Sequence, residues 1–271
     1  MANAGEGSEI VIRLVSRRWF EEVWRCNCPA APLSVVTAQS RREPIRGITR
    51  LMVTSMKAAL QVPHFGYNDE VDMSQLVQLK PALAELTEEK RISYMPVMLK
   101  AASIALSEFP VLNSSISSDE QEQIFHGEHN IGVAMDTPRG LLVPNIKNCE
   151  QRSVLEIAQE LGRLQELGRQ NKLGEEDLSG GTFTLSNIGA IGGTYASPVL
   201  MVPQVAIGAL GKIQRLPRFV NDSSTEVEEK FIMNVSWSAD HRVIDGATMA
   251  TFSNRWKAML ENPGIMVASM R

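Results

Sequence analysis

Ser236-Trp237-Ser238-Ala239-Asp240-His241-Arg242-Val243-Ile244-Asp245-Gly246 is the stretch on which the fold turns. Just upstream, Phe231–Trp237 is apolar and rich in β-forming residues, which predicts a buried strand. Downstream, an amphipathic run to Leu260 predicts a helix. The strand therefore delivers His241 to a turn, with Asp245 near the start of the last helix. Histidine is the side chain most easily tuned to accept a proton near neutral pH. The plainer alternative is a turn histidine with its polar atoms satisfied and an Asp245 that only caps the helix, a role aspartate favours. A lone H-x-x-x-D-G is too short to decide between them.

Composition narrows the classes. The 271 residues suffice for one large domain or two small ones, and 44% hydrophobic residues support a sizeable core. A formal net charge of −4, from 27 basic and 31 acidic residues, argues against nucleic acid as a main partner. Cys26, Cys28 and Cys149 are too few and too oddly spaced for a zinc site or a disulfide framework, so they read as reduced thiols. The longest apolar stretch, Val199–Leu210, is interrupted by Pro203, so no membrane span is expected.

Residues 1–42 match nothing else in the chain and read as an atypical, poorly ordered leader. No apolar core precedes a small-residue cleavage site, and Glu6, Glu9, Glu21 and Glu22 are acidic where transit peptides avoid acid. From 43 to 271 the pattern is globular. Pro44 suits a first helical turn, after which Ile48, Leu51, Met52, Ser55, Met56, Ala59 and Leu60 share one helical face. Phe65–Val71 reads as a strand, Ser74–Leu86 as a helix broken or started at Pro81, and Pro96–Phe109 as a buried helix. Strands are expected at Leu112–Ile116, Ile131–Met135, Leu141–Ile146, Thr182–Leu185 and Val205–Ile213. Ser153 and Glu156 form a capping box that opens a helix to Gly168. Ser186-Asn187-Ile188-Gly189 reads as a turn, and residues 220–229 as a polar hairpin loop. There is no regular βαβ repeat and no glycine-rich phosphate loop, which leaves one α/β (α+β) domain with a mixed or largely antiparallel sheet and flanking helices.

Several long stretches, in order, raise the specificity. They are PHFGYNDEVDMSQLV from Pro63, NIGVAMDTPRGLLVPNIKN from Asn130, GGTFTLSNIGAIGGTYASPV from Gly180, and SWSADHRVIDG from Ser236. Together they resemble the catalytic core of the dihydrolipoamide acyltransferases, the core subunits of 2-oxo acid dehydrogenase complexes. The surrounding residues look most like the branched-chain members. The resemblance implies a chloramphenicol-acetyltransferase-like fold, trimers with the active site between neighbouring subunits, and their assembly into a 24-subunit core. It also implies the other components of a branched-chain 2-oxo acid dehydrogenase complex as partners, and the mitochondrial matrix as location. The lipoyl group would be supplied by a separate lipoyl domain, since neither a lipoyl nor a peripheral-subunit-binding module is evident here.

The same resemblance assigns roles. His241 is the base that deprotonates a coenzyme A or dihydrolipoyl thiol, because the thiolate is the nucleophile. Ser186 stands where a hydroxyl binds the oxyanion; read alone, it is equally a turn serine. Asp245 pairs with a basic group that holds the histidine loop, either Arg46 or Arg50. The coenzyme A contacts carried over are Lys80, Ser93, Asp136, Gln165, Ser186, Asn187, Gly211 and Ile213. Lys80 and Ser93 flank a segment two residues shorter than in relatives. His64 could line a lipoyl entrance or be structural. His126 and His129 lack a carboxylate partner in a helical pattern and do not suggest a metal. The expected activity is transfer of a 2-methylpropanoyl-type acyl group; an acetyl- or succinyl-transferring relative and a non-catalytic assembly scaffold are the alternatives.

Overall fold

The computed structural model describes residues 40–86, 92–221 and 223–269. The leader expected over 1–42 lies outside them except for its last three residues, as do Cys26 and Cys28. The chain divides into two compact units, Met1–Pro44 and Ile45–Arg271, and every element named below belongs to the second. In chain order these are α1 (Gly47–Ala59), β1 (His64–Asp72), α2 (Ser74–Glu85), α3 (Met95–Glu108), β2 (Ser114–Ile116), β3 (Gln123–Phe125), β4 (Ile131–Val133), β5 (Met135–Thr137), β6 (Gly140–Leu142), β7 (Asn145–Ile146), α4 (Val154–Arg169), α5 (Glu175–Leu178), β8 (Phe183–Asn187), β9 (Ala206–Leu210), β10 (Gln214–Phe219), β11 (Val227–Asp240), α6 (Gly246–Glu261) and α7 (Pro263–Ser269).

The main sheet runs β1-β11-β9-β8-β4-β7, with β10 added on β11. Strand β8 is parallel to both β4 and β9 and the remaining pairs are antiparallel, so the sheet is mixed, as the pattern predicts. Strands β2–β3 and β5–β6 make two separate hairpins.

Strand β11 is the spine. One edge pairs with β1, from His64 opposite Asp240 to Asp72 opposite Ile232. The other edge pairs with β9, from Ala206 opposite Ala239 to Leu210 opposite Val235, and then with β10. Every residue from Ile232 to Asp240 is buried, because both sheet faces are covered. On one face Met233, Val235, Trp237 and Ala239 join the main core. There the Trp237 ring meets Phe252 at 5.3 Å and Trp256 at 5.2 Å edge-on, and its Nε1–H donates to Ser253 Oγ on α6. Trp256 Nε1–H in turn donates to the Met98 carbonyl, tying α6 to the nearly all-buried α3. On the other face a small cluster of Val62, Leu200 and Ile207 packs beneath the segment leading into β9.

Several boundaries differ from the expectation, each for a visible reason. Helix α1 begins at Gly47, not in the turn after Pro44, and only Ala59 on it is buried. Of its apolar stripe, Ile48, Ser55 and Met56 are half-buried, while Leu51 is 70% exposed and Met52 and Leu60 are exposed with it. Helix α2 runs through Pro81 unbroken. Proline lacks the N–H that would bond the Val77 carbonyl, but Leu76, Val77 and Leu83 anchor the turns on either side to the core. Ser186 and Asn187 end strand β8 instead of forming a turn, because β9 lies alongside and pairs them with Ala209 and Leu210. The expected strand Ile131–Met135 divides into β4 and the first part of β5. Leu141–Ile146 likewise divides at Val143-Pro144, where the Pro144 carbonyl accepts from Val133 N–H. Residues 214–219 form an unforeseen strand, and the acidic segment after them supplies the start of β11, with Arg215 paired to Glu229 across the ladder. Helix α6 is followed by α7, so Asp245 opens the penultimate helix. The Ser153–Glu156 capping box forms as read.

Gly208, in the middle of β9, shows how tightly the sheet meets its core. A Cβ there would stand 2.3 Å from Trp237 Cζ3 and 2.8 Å from Leu185 Cδ1. Gly208→Ala is therefore expected to destabilise the fold by about 1–3 kcal/mol through overpacking, read as a lower denaturant midpoint at unchanged slope.

Candidate active site

His241 is the first residue after β11 and is exposed, while Asp240 before it is buried. Its backbone N–H donates to the Pro63 carbonyl at 2.9 Å, and its ring stands 5.0 Å from that of Phe65. Ring Nδ1 lies 2.8 Å from the Ile244 carbonyl. A carbonyl only accepts, so Nδ1 carries the proton and donates it. Nε2 of the neutral ring is then left with its lone pair, the form a general base needs.

Asp245 closes the corner. Its carboxylate accepts from Thr248 N–H at 2.7 Å and caps α6. That backbone bond, first among several, holds its pKa below the usual carboxylate range. Among the described residues Asp245 makes no ion pair with Arg46, Arg50 or another Lys or Arg of this chain; the contact it makes is the helix cap.

Ser186 is not beside His241 in the same chain. It faces Ala209 on β9, which faces Ser236 on β11, five residues short of His241. At about 3.3 Å per residue and about 4.8 Å per strand, the two residues are roughly 20 Å apart.

Five of the carried-over contact residues do converge. Lys80, Ser93, Asn187, Gly211 and Ile213 line one cavity of ≈ 310 Å³, together with Tyr94, Gly189 and Lys212. Small-molecule sites span about 300–1,000 Å³, so this is a small one. Lys80 Nζ leans over the Tyr94 ring, 4.7 Å from its centroid. A side chain on Gly189 would collide with the Gly211 backbone, so the two chains meet here without Cβ atoms between them. Ser186 precedes Asn187 on β8 at the edge of this group. Asp136 on β5 and Gln165 on α4 are exposed and line none of this cavity. Sequence reasoning passed over Lys212, although it sits between two named residues, Gly211 and Ile213.

The remaining titratable candidates are structural. His64 donates from Nδ1 to the Val62 carbonyl at 2.8 Å and accepts at Nε2 from Leu200 N–H at 3.1 Å, so both ring nitrogens are occupied. It also lines a ≈ 430 Å³ cavity with Gly66, Ser238 and the Ala196–Val199 segment. His129 is buried against Ser103, and burial lowers its pKa. Burial pushes the Cys149 thiol up to about 12. Among the described residues no group of three or more histidines, cysteines or carboxylates converges as a metal site, and no helix is long and apolar enough to cross a membrane.

The family model described as 2-oxoacid dehydrogenases acyltransferase (catalytic domain) matches residues 37–268. The lipoamide acyltransferase component of the branched-chain alpha-keto acid dehydrogenase complex of Caenorhabditis elegans, named as mitochondrial, is 59% identical over 230 residues, covering 84% of this chain and 51% of that protein. The chain spans about half the length of the curated relatives it matches. A dihydrolipoamide acetyltransferase structure from Azotobacter vinelandii aligns with TM-score 0.79 and 33% identity over 84% of this chain and 94% of that one. Its catalytic mechanism is described through a serine, a histidine and an asparagine four positions after the histidine. The cubic core of a pyruvate dehydrogenase complex aligns equally well, at TM-score 0.79 and 32% identity over 88% of this chain and 99% of that one. Chloramphenicol acetyltransferase, at 14% identity over 82% of this chain and all of its own, shares the fold with TM-score 0.53. The fold expected from the sequence is the one observed.

Two outcomes test this local picture. Cys149 should resist a thiol reagent at pH 8 in the native protein and react once it is unfolded, read by mass on the Cys149 peptide. Asp245→Ala should lower the melting midpoint at neutral pH while Asp245→Asn, an equal cap, holds it. Because the folded carboxylate has the lowered pKa, the cap's contribution is full above the ordinary aspartate pKa and fades as pH falls through the lowered one.

Proposed function

We infer the activity from a fact of membership: the chain belongs to the 2-oxoacid dehydrogenase acyltransferase family. The unit Ile45–Arg271 is its catalytic core, and it transfers a branched acyl group of the 2-methylpropanoyl type between dihydrolipoyl lysine and coenzyme A. What supports the branched-chain assignment is 59% identity to a branched-chain relative, against 33% to the acetyltransferase of solved structure.

The observation that carries the mechanism is the His241 ring, pinned at Nδ1 by the Ile244 carbonyl. Nε2 takes the proton of the incoming thiol, and the thiolate adds to the thioester carbonyl. The Ser186 hydroxyl donates to the oxyanion of the tetrahedral adduct. Collapse breaks the bond to the outgoing sulfur, which recovers the proton from the imidazolium. Lys80, Ser93, Asn187, Gly211 and Ile213 hold the coenzyme A arm, Lys80 facing its phosphates. No acyl-enzyme forms.

The roughly 20 Å between His241 and Ser186 of one chain supports a reaction completed by His241 of one subunit and Ser186 of its neighbour. We place the chain in trimers that build a cubic core, within the mitochondrial matrix, in a branched-chain 2-oxo acid dehydrogenase complex. The lipoyl group arrives on a separate lipoyl domain.

Turnover with free dihydrolipoamide and a panel of acyl-coenzyme A donors tests the reading. 2-Methylpropanoyl-coenzyme A should be preferred, His241→Ala should lose about 10²–10⁴-fold and Ser186→Ala about 10²–10³-fold. Equal or better use of acetyl-coenzyme A would remove the branched-chain assignment, and an undiminished His241→Ala would remove the base.

A further inference from the structure

We propose that Asp240 and Arg242 form a positioning device for His241, a fork closed around the base from both of its chain neighbours. The inference rests on His241 being the base. Asp240 is 3% exposed, and the end of a buried strand offers its carboxylate little water. Among the described residues, every donor to that carboxylate comes from Arg242. Arg242 backbone N–H and Nε donate to Oδ1 at 3.0 and 2.9 Å, and Nη2 donates to Oδ2 at 2.7 Å. The guanidinium therefore folds back over one residue and closes a ring whose apex is His241. Only a planar fork makes both side-chain bonds at once; an ammonium supplies the charge without the geometry.

Two further contacts tie this ring to the imidazole. The Asp240 carbonyl accepts from Val243 and Ile244 N–H at 3.1 and 2.9 Å, closing the turn. Ile244 is the residue whose carbonyl receives the His241 Nδ1 proton. The acceptor that sets the tautomer thus belongs to the turn that Asp240 organises. On the outer side Arg242 Nη1 reaches Glu120 at 2.7 Å, on the loop between β2 and β3, which anchors the corner to a separate hairpin. Arg242 touches no reacting atom; it acts through the histidine.

The test is a double-mutant cycle on the assembled full chain, with mass by light scattering and melting recorded for each variant. Because misplacing a catalytic group by about 1 Å can cost about 10²-fold, Arg242→Met should lower kcat about 10–100-fold with KM for coenzyme A within about threefold. Arg242→Lys, which keeps the charge and loses the fork, should recover only part of the loss, and it carries the test if Arg242→Met fails to assemble. In the His241→Ala background Arg242→Met should slow the residual reaction by no more than about twofold, since there is no base left to position. An Arg242→Lys kcat within about twofold of the parent overturns the inference, as does an equal loss in both backgrounds. Parent-like turnover by His241→Ala is a separate result: it removes the base itself.

Discussion

A strand buried on both faces for nine residues leaves no freedom about where its chemistry can appear. Alternation sends Met233, Val235, Trp237 and Ala239 into the helical layer and Asn234, Ser236, Ser238 and Asp240 the other way. The first set needs volume. The second needs hydrogen-bond partners, because a buried polar group without one is costly. Water returns only at the strand's end, and His241 is the residue standing there. Its accessibility and its rigidity share one origin: β1 and β9 hold the strand to its last residue, through Pro63 and Val205.

The helix that follows completes the corner by local chemistry alone. Asp245 caps it, and Phe252, Ser253 and Trp256 on its inner face lock onto Trp237. Gly208 leaves open the space that this indole occupies. His241 is thus joined to the core through backbone bonds before it and aromatic packing after it.

Much of this was legible in order. Apolar runs of the right length marked α3 and β11, and the S-x-x-E signal marked α4, because burial and capping write directly into residue type. What escaped depends on partners distant in sequence. Nothing in T-L-S-N-I-G shows that a parallel β9 will straighten Ser186 and Asn187 into a strand. Nothing near Pro81 shows that core contacts will carry α2 through it. Strand β10 is polar and exposed at alternate positions, so its pattern has no apolar face to read. The candidate site divided in the same way. The motif pointed to His241 and the Asp245 cap, and family likeness gathered five residues around one cavity. The distance from His241 to Ser186 became visible only through strand register. The Asp240–Arg242 fork sat in plain view within the motif, yet its meaning depends on Asp240 being buried, which no spacing reveals.

Helix α1 differs from the other long helices in having almost nothing beneath it. With Leu51, Met52 and Leu60 facing outward and Ala59 alone buried, its thirteen residues are close to the length at which a lone helix in water is only marginally formed. Its amide hydrogens should therefore trade with deuterium on the timescale of local fraying, while those of β11 wait for the whole sheet to open.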